Sequence, residues 1–269
     1  MITMSNTDYK PGMGKVSITG DDLRQSLVIA KNEMRKFMRG RKILLFILLA
    51  ALFLALNIAL PALYWDQFGS YLSTPEEIMS WNAGNISFIA LIGAVLFASF
   101  TIVSEFEERT YLLLFTRPVK KTTIFAGKFL ACYAITLLVV LIYYGVSAVH
   151  SLVLEGAVTS KTFASIGMAM ADIFAVSGLA VFFSTISKKG SISALMTFFL
   201  VLMIPSILSG ILWVVQPGGD YWYLLNVAEG SISSVIGPAM QISKPLITFL
   251  LWGAVPLLAG WLIFLRKEV

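Results

Sequence analysis

Asp172 stands inside an apolar run, residues 162–187, that holds no other Asp, Glu, Lys or Arg. Ten residues of helix from Thr162 would set it about 15 Å deep, near the middle of a bilayer. A charge at that depth costs roughly 2.5–3.5 kcal/mol, and none of the long apolar runs offers a basic partner. The carboxyl is therefore either protonated and hydrogen-bonded to a hydroxyl, or it faces a wet cavity. It reads as a candidate substrate path or proton site on one side, and as a neutral packed acid on the other. His150 is the single histidine and Cys132 the single cysteine. One imidazole with no ligand set nearby fits an interfacial residue better than a catalyst or metal ligand. One thiol forms no internal disulfide and no metal cluster. Gly12, Gly14 and Lys15 resemble a phosphate loop only superficially: Tyr9 stands where its first glycine belongs, and Val16 follows the lysine. No H-E-x-x-H motif occurs, and nothing near His150 suggests a nucleophile. The chain reads as a non-enzyme with no cofactor and no metal.

The densest charge lies elsewhere, in residues 105–121. Glu105, Glu107 and Glu108 come first, then Arg109, then the apolar patch Tyr111–Phe115 that holds Leu112, Leu113 and Leu114. Arg117-Pro118 ends the helix, because proline disfavours helical geometry in the residue before it. Lys120 and Lys121 follow, and Thr122 or Thr123 can cap a new helix through Gly127-Lys128. Two short helical pieces joined by a bend at a membrane surface would offer a soluble partner a docking surface. The docking candidates are Glu105, Glu107, Glu108, Arg109, Leu112, Leu113, Leu114 and Arg117.

Six runs must carry this block. Residues 43–65, 78–104, 129–154, 190–219 and 245–265 hold no charged side chain, and 162–187 holds Asp172 alone. Each supplies the roughly 20 residues needed to cross a hydrocarbon core. Only 13% of the 269 residues are charged, against about 25% in soluble domains. Sustained alternation is absent, which argues against a membrane barrel. The expected class is an all-α membrane protein with six transmembrane helices in residues 43–265. The net charge of +5 does not point to nucleic acid, since most basic residues flank the spans. With the N-terminus in the cytoplasm, eighteen Lys and Arg lie inside, against Lys161 and Lys244 outside. Both termini are thus expected in the cytoplasm, including residues 266–269. Residues 1–20 read as a flexible tail.

Residues 21–42 read as a basic amphipathic helix along the membrane interface, with membrane lipids as partners. Leu23, Leu27, Ala30, Met34, Phe37 and Met38 recur at helical spacing, and Asp21 can cap the start. An ordinary soluble amphipathic helix is the alternative. Gly167 and Ala171, four apart, would let a neighbouring helix approach closely. Pro61, Pro205 and Pro256 are candidate bends. After Pro217-Gly-Gly, a short helix, a re-entrant piece or a loose loop remain open.

The charged block resembles the first cytoplasmic loop of type-2 ATP-binding-cassette (ABC) permeases. Glu105, Thr110, Leu112–Leu114, Arg117-Pro118 and Gly127-Lys128 match that family's pattern in order. Arg109 stands where the family has Gly, and Lys120 where it has a capping Ser. The six-span layout extends the resemblance from about residue 20 to the end. The resemblance implies that ATP is bound and hydrolysed by a separate cytoplasmic subunit, whose motion enters through residues 105–121. It implies a cell-membrane exporter built with a second permease copy or a related permease. The alternative from another class is a non-transporting scaffold or sensor that anchors a cytosolic partner.

Overall fold

The computed structural model describes residues 20–64, 72–108, 119–237 and 242–267. No strand occurs among them. Six helical stretches are long and apolar enough to cross a membrane: Arg41–Leu63, Pro75–Glu107, Lys121–Glu155, Thr162–Ile186, Gly190–Val215 and Ser243–Arg266. They fall on the six expected runs.

Helix α1 (Gly20–Arg39) comes first and meets α2 (Arg41–Leu63) at Gly40. Its expected apolar stripe divides. Ala30 is buried, and Met34 and Phe37 pack on the core, but Leu23, Leu27 and Met38 remain exposed. The face turned to the protein is rotated from that stripe and includes Ser26, Ile29 and Ala30. The proposed cap at Asp21 lies outside the described side chains.

The second span is broken twice. Thr74 opens α3 (Pro75–Ala83) with a capping box, its side chain and that of Glu77 each bonding the other's backbone N–H. Asn85 separates α3 from α4 (Ile86–Leu96), and a single 3₁₀ turn at Ala98–Phe100 leads to α5 (Val103–Glu107). The backbone N–H groups of Ile102 and Val103 both donate to Ser184 Oγ at 3.0 Å, so the bend leaves no orphaned donor there. The third span is one helix, α6 (Lys121–Glu155), closed by Gly156 in the left-handed region at φ +68°. Neither Thr122 nor Thr123 caps it. Lys120 takes that position with extended backbone and no side-chain cap, and its ammonium bonds Asp22 of α1 at 2.8 Å instead.

Helix α7 (Thr162–Ile186) is the fourth span and the centre of the bundle, packed on α4, α6, α8 (Gly190–Phe198) and the last span, α12 (Ser243–Arg266). In the fifth span a π-turn at Phe199–Met203 links α8 to α9 (Ile204–Val215). Pro205 explains it: proline has no N–H to give Val201, and its ring would clash with that carbonyl, so the turn widens. Pro61 and Pro256 sit within α2 and α12. Beyond Pro217, α10 (Leu225–Glu229) and α11 (Ser231–Ser234) form the short helical piece that the sequence left open. Leu225, Ala228, Ile232 and Ile236 are buried, so this piece folds back into the bundle.

The contacts sort into two ends. At one lie α1, the end of α5, the start of α6 and the end of α12, where Lys121 Nζ donates to the Lys267 carbonyl at 2.7 Å. At the other, Lys161 pairs with Glu76 at 3.0 Å and Lys244 with Asp220.

The close helix approach is not at Gly167, where a Cβ would meet open space among the described residues. It lies between α7 and α12. A Cβ on Gly178 would stand 2.6 Å from the Gly253 carbonyl oxygen, and one on Gly260 3.1 Å from Phe182 Cα. Gly178→Ala is therefore expected to lower stability by about 1–3 kcal/mol through overpacking. Gly167→Ala is expected to be neutral or slightly stabilising. Thermal unfolding of the purified variants checks the contrast.

Candidate functional sites: a charged joint and a buried acid pair

The root of the charged block is held by an ammonium that the protein has taken out of water. Lys128, two turns into α6, has a side chain only 3% exposed. Its Nζ lies 2.6 Å from Glu33 Oε1 of α1 and 2.8 Å from Glu105 Oε1 of α5. Both carboxylates are largely buried as well, so the pairs are poorly screened. Gly127 explains how α1 comes so near. A Cβ there would stand 2.8 Å from both the Ser26 carbonyl oxygen and Ile29 Cβ. Gly127 admits the α1 backbone, and Lys128 then ties that helix to the end of the second span. Ser26 Oγ adds a bond to the Thr123 carbonyl at 3.3 Å.

The other docking candidates lie beyond this joint. Glu107 and Glu108 are exposed. Arg109, Leu112, Leu113, Leu114 and Arg117 lie outside the described residues. Glu105, placed among the docking residues by its sequence position, turns inward to Lys128. The last helix reaches the same region, with Lys267 Nζ 4.3 Å from the Phe106 ring centre.

Asp172 is fully buried in α7, and neither of its carboxyl oxygens accepts a hydrogen bond from the described residues. The Ser87 hydroxyl of α4 faces it without closing a bond, and Glu229 of α10 is near enough for the two carboxylates to repel directly. No ion pair reaches either acid among the described residues. Burial pushes the Glu229 carboxyl up from the ordinary range to about 8. A cleft of about 260 Å³ opens onto Glu229, Ser87 and Asn226. Gly84 and Ser233 also line a larger, open cleft of about 1040 Å³ towards the Lys161 end. Glu229 and Ser87 line the smaller cleft, while Asp172, fully buried near them, lines neither; the two carboxyls can share a proton or receive a donor-bearing group.

Cys132 is buried in α6. His150 bonds Asn82 through Nδ1 at 3.2 Å, beside a network of Asn57, Tyr143 and Asn85. No group of three or more potential metal ligands occurs among the described residues.

Residues 27–269 match the family model described as ABC-2 family transporter protein. The chain belongs to this family. It is similar to the protein named "Probable ABC transporter permease protein NosY" of Stutzerimonas stutzeri, with 28% identity over 271 residues, 89% of this chain and 97% of that one. It is a multi-pass membrane permease subunit of an ABC transporter.

Two residues of the permease's sites escaped the sequence reading. Glu33 was hidden because the apolar stripe of α1 drew attention to another face. Glu229 carried a usable signal: from Leu225, positions i+4, i+7 and i+11 share one helical face, so Glu229 lies with Ile232 and Ile236 on the buried side.

Removing one member of the joint leaves an uncompensated buried charge. Lys128→Met is expected to lower stability by about 3–5 kcal/mol, and the neutral triple variant Glu33→Gln/Glu105→Gln/Lys128→Met by much less. Melting curves of the purified proteins measure the difference. Glu229 makes stability depend on pH. The folded state keeps its proton up to about 8, whereas the unfolded chain releases it near 4.5. Stability is therefore expected to fall between those values as pH rises, by up to about 1.4 kcal/mol per unit, and to level off above them. Glu229→Gln should reduce that slope in unfolding scans from pH 5 to 9.

Proposed function

We propose that this permease exports its substrate on the energy of ATP hydrolysed by a separate cytoplasmic ATP-binding-cassette subunit, which docks on residues 105–121. One observation carries the reading. The block begins at Glu105, which is ion-paired through Lys128 to both α1 and the third span. A push on the block from a docked partner would reach three elements at once. The acidic residues Glu107 and Glu108 stand exposed just beyond, at the edge of an interface. Arg109, Leu112, Leu113, Leu114 and Arg117 complete the docking segment, with the leucines as its apolar anchors.

The orientation follows the eighteen-to-two distribution of Lys and Arg, with both termini in the cytoplasm of a cell-membrane protein. The two bases assigned to the outside, Lys161 and Lys244, are each paired with a nearby acid. Six spans make half a transporter in the resembled architecture, so the permease pairs with a second copy or a related permease. Asp172 is assigned to the substrate path; its nearness to Glu229, which lines the smaller cleft, supports the assignment.

Pull-down and coupled ATPase assays test the proposal. Apolar anchors at an interface centre outweigh charges at its rim. Truncating Leu112, Leu113 and Leu114 together to Ala is expected to abolish ATPase association, whereas Glu107→Gln and Glu108→Gln weaken it only slightly. Asp172→Asn is expected to bind the ATPase like the parent and to lose substrate-stimulated hydrolysis. Full association and turnover in the triple leucine variant would remove the docking role from this segment.

A further inference from the structure

Helix α1 carries a feature that ATPase docking does not use. Two of its acids face the protein: Asp22 pairs with Lys120 and Glu33 with Lys128. Lys31, Arg35, Lys36 and Arg39 are exposed and form no ion pair among the described residues. Lys31, Arg35 and Arg39 are four apart and so line one edge of the helix. With Asn32 and Gly40, the last two arginines and Lys36 line an open surface depression of about 500 Å³.

Arg35 and Arg39 also border a second, apolar cavity of about 620 Å³, which lies between α1 and α6. Leu27, Met34 and Met38 form its α1 side. Leu130, Tyr133, Ala134 and Leu137, spaced 3, 4 and 7 apart, form its α6 side. The groove is not filled by the chain: Leu27 is 63% exposed and Met38 54%. From Leu130 to Leu137 it follows the transmembrane helix for about 10 Å.

We propose that this bipartite site binds one anionic phospholipid, its phosphate on Arg35 and Arg39 and an acyl chain in the groove between α1 and α6. The charge complementarity selects an anion. The apolar groove along a membrane span selects one with a hydrocarbon tail, which excludes an acidic peptide or a free phosphate. A lipid seated there would cover the exposed side of α1 and press it onto α6. The site is independent of which ATPase drives the permease.

The full-length permease, delipidated in zwitterionic detergent, provides the test by native mass spectrometry. It is titrated with phosphatidylglycerol and with phosphatidylcholine of the same chain length. One phosphatidylglycerol is expected to bind at least about tenfold more tightly, and less so at higher salt, since each nearby basic residue contributes about fivefold. Arg35→Ala/Arg39→Ala should bring the two lipids within about threefold. Ala134→Trp, filling the groove, should weaken both; if that variant does not fold, Leu27→Gln replaces it. Water-soluble glycerophosphoglycerol should fail to displace the lipid. Equal binding of the two lipids, or an unaffected double arginine variant, would overturn the proposal. So would displacement by the soluble headgroup, which would mark a plain anion site. If the groove variants instead dissociate a dimer and leave lipid binding unchanged, the groove is an interface between copies and the proposal fails.

Discussion

A lysine ammonium removed from water between two carboxylates sets the geometry of the charged end of this permease. Lys128 pairs with Glu33 and Glu105 together, at 2.6 and 2.8 Å. The arrangement needs three elements in register: α1 lying against α6, the second span ending at the right height, and Gly127 leaving room for the α1 backbone. Ser184 makes the second requirement feasible, because it accepts both donors freed where the second span bends. The Gly-Lys pair, two turns into the third span, is thus a steric allowance followed by a charge.

The opposite half of the molecule obeys a different constraint. The α7–α12 seam is built from absent side chains, with Gly178 meeting Gly253 and Gly260 meeting Phe182 at backbone distance. That closeness fixes the central helix, and the central helix carries Asp172. The α10–α11 piece then folds in and delivers Glu229 to the same place. The acid pair is therefore positioned by a backbone-close helix seam and by the inward-folded α10–α11 piece. The two sites sit on different helix segments: the joint on α1, α5 and the start of α6, the acid pair on α7 and α10. The long, mostly unbroken α6 and α7 connect them.

Much of this was legible in the residues. Six long runs with no charged residue but Asp172 marked the spans, and the order of Glu105, Arg117-Pro118 and Gly127-Lys128 carried the resemblance to the family. Residue spacing did not give partners across the fold. The pairing of Glu105 with Lys128 was not readable, because sequence shows position along the chain and not the direction in which a side chain turns. Leu23, Leu27 and Met38 do share a helical period, yet they mark the exposed side of α1, while Ser26, Ile29 and Ala30 face the protein. The pair at Gly167 and Ala171 had suitable spacing for close packing, but the seam formed where a second helix also offered glycine. Caps at Thr122 or Thr123 were reasonable by propensity, and the ion pair of Lys120 with Asp22 took that position instead.

We propose that the Lys128 joint passes motion from residues 105–121 to α1 and the third span. Spin labels on cysteines at Asn32 in α1 and Ser160 at the far end, in a Cys132→Ser background, would report it by pulsed electron resonance on the assembled transporter. Trapping with ATP and vanadate is expected to shift the distance distribution in the parent. The neutral triple variant, Glu33→Gln/Glu105→Gln/Lys128→Met, should still bind the ATPase yet show no shift. An identical shift in parent and triple variant would contradict the account.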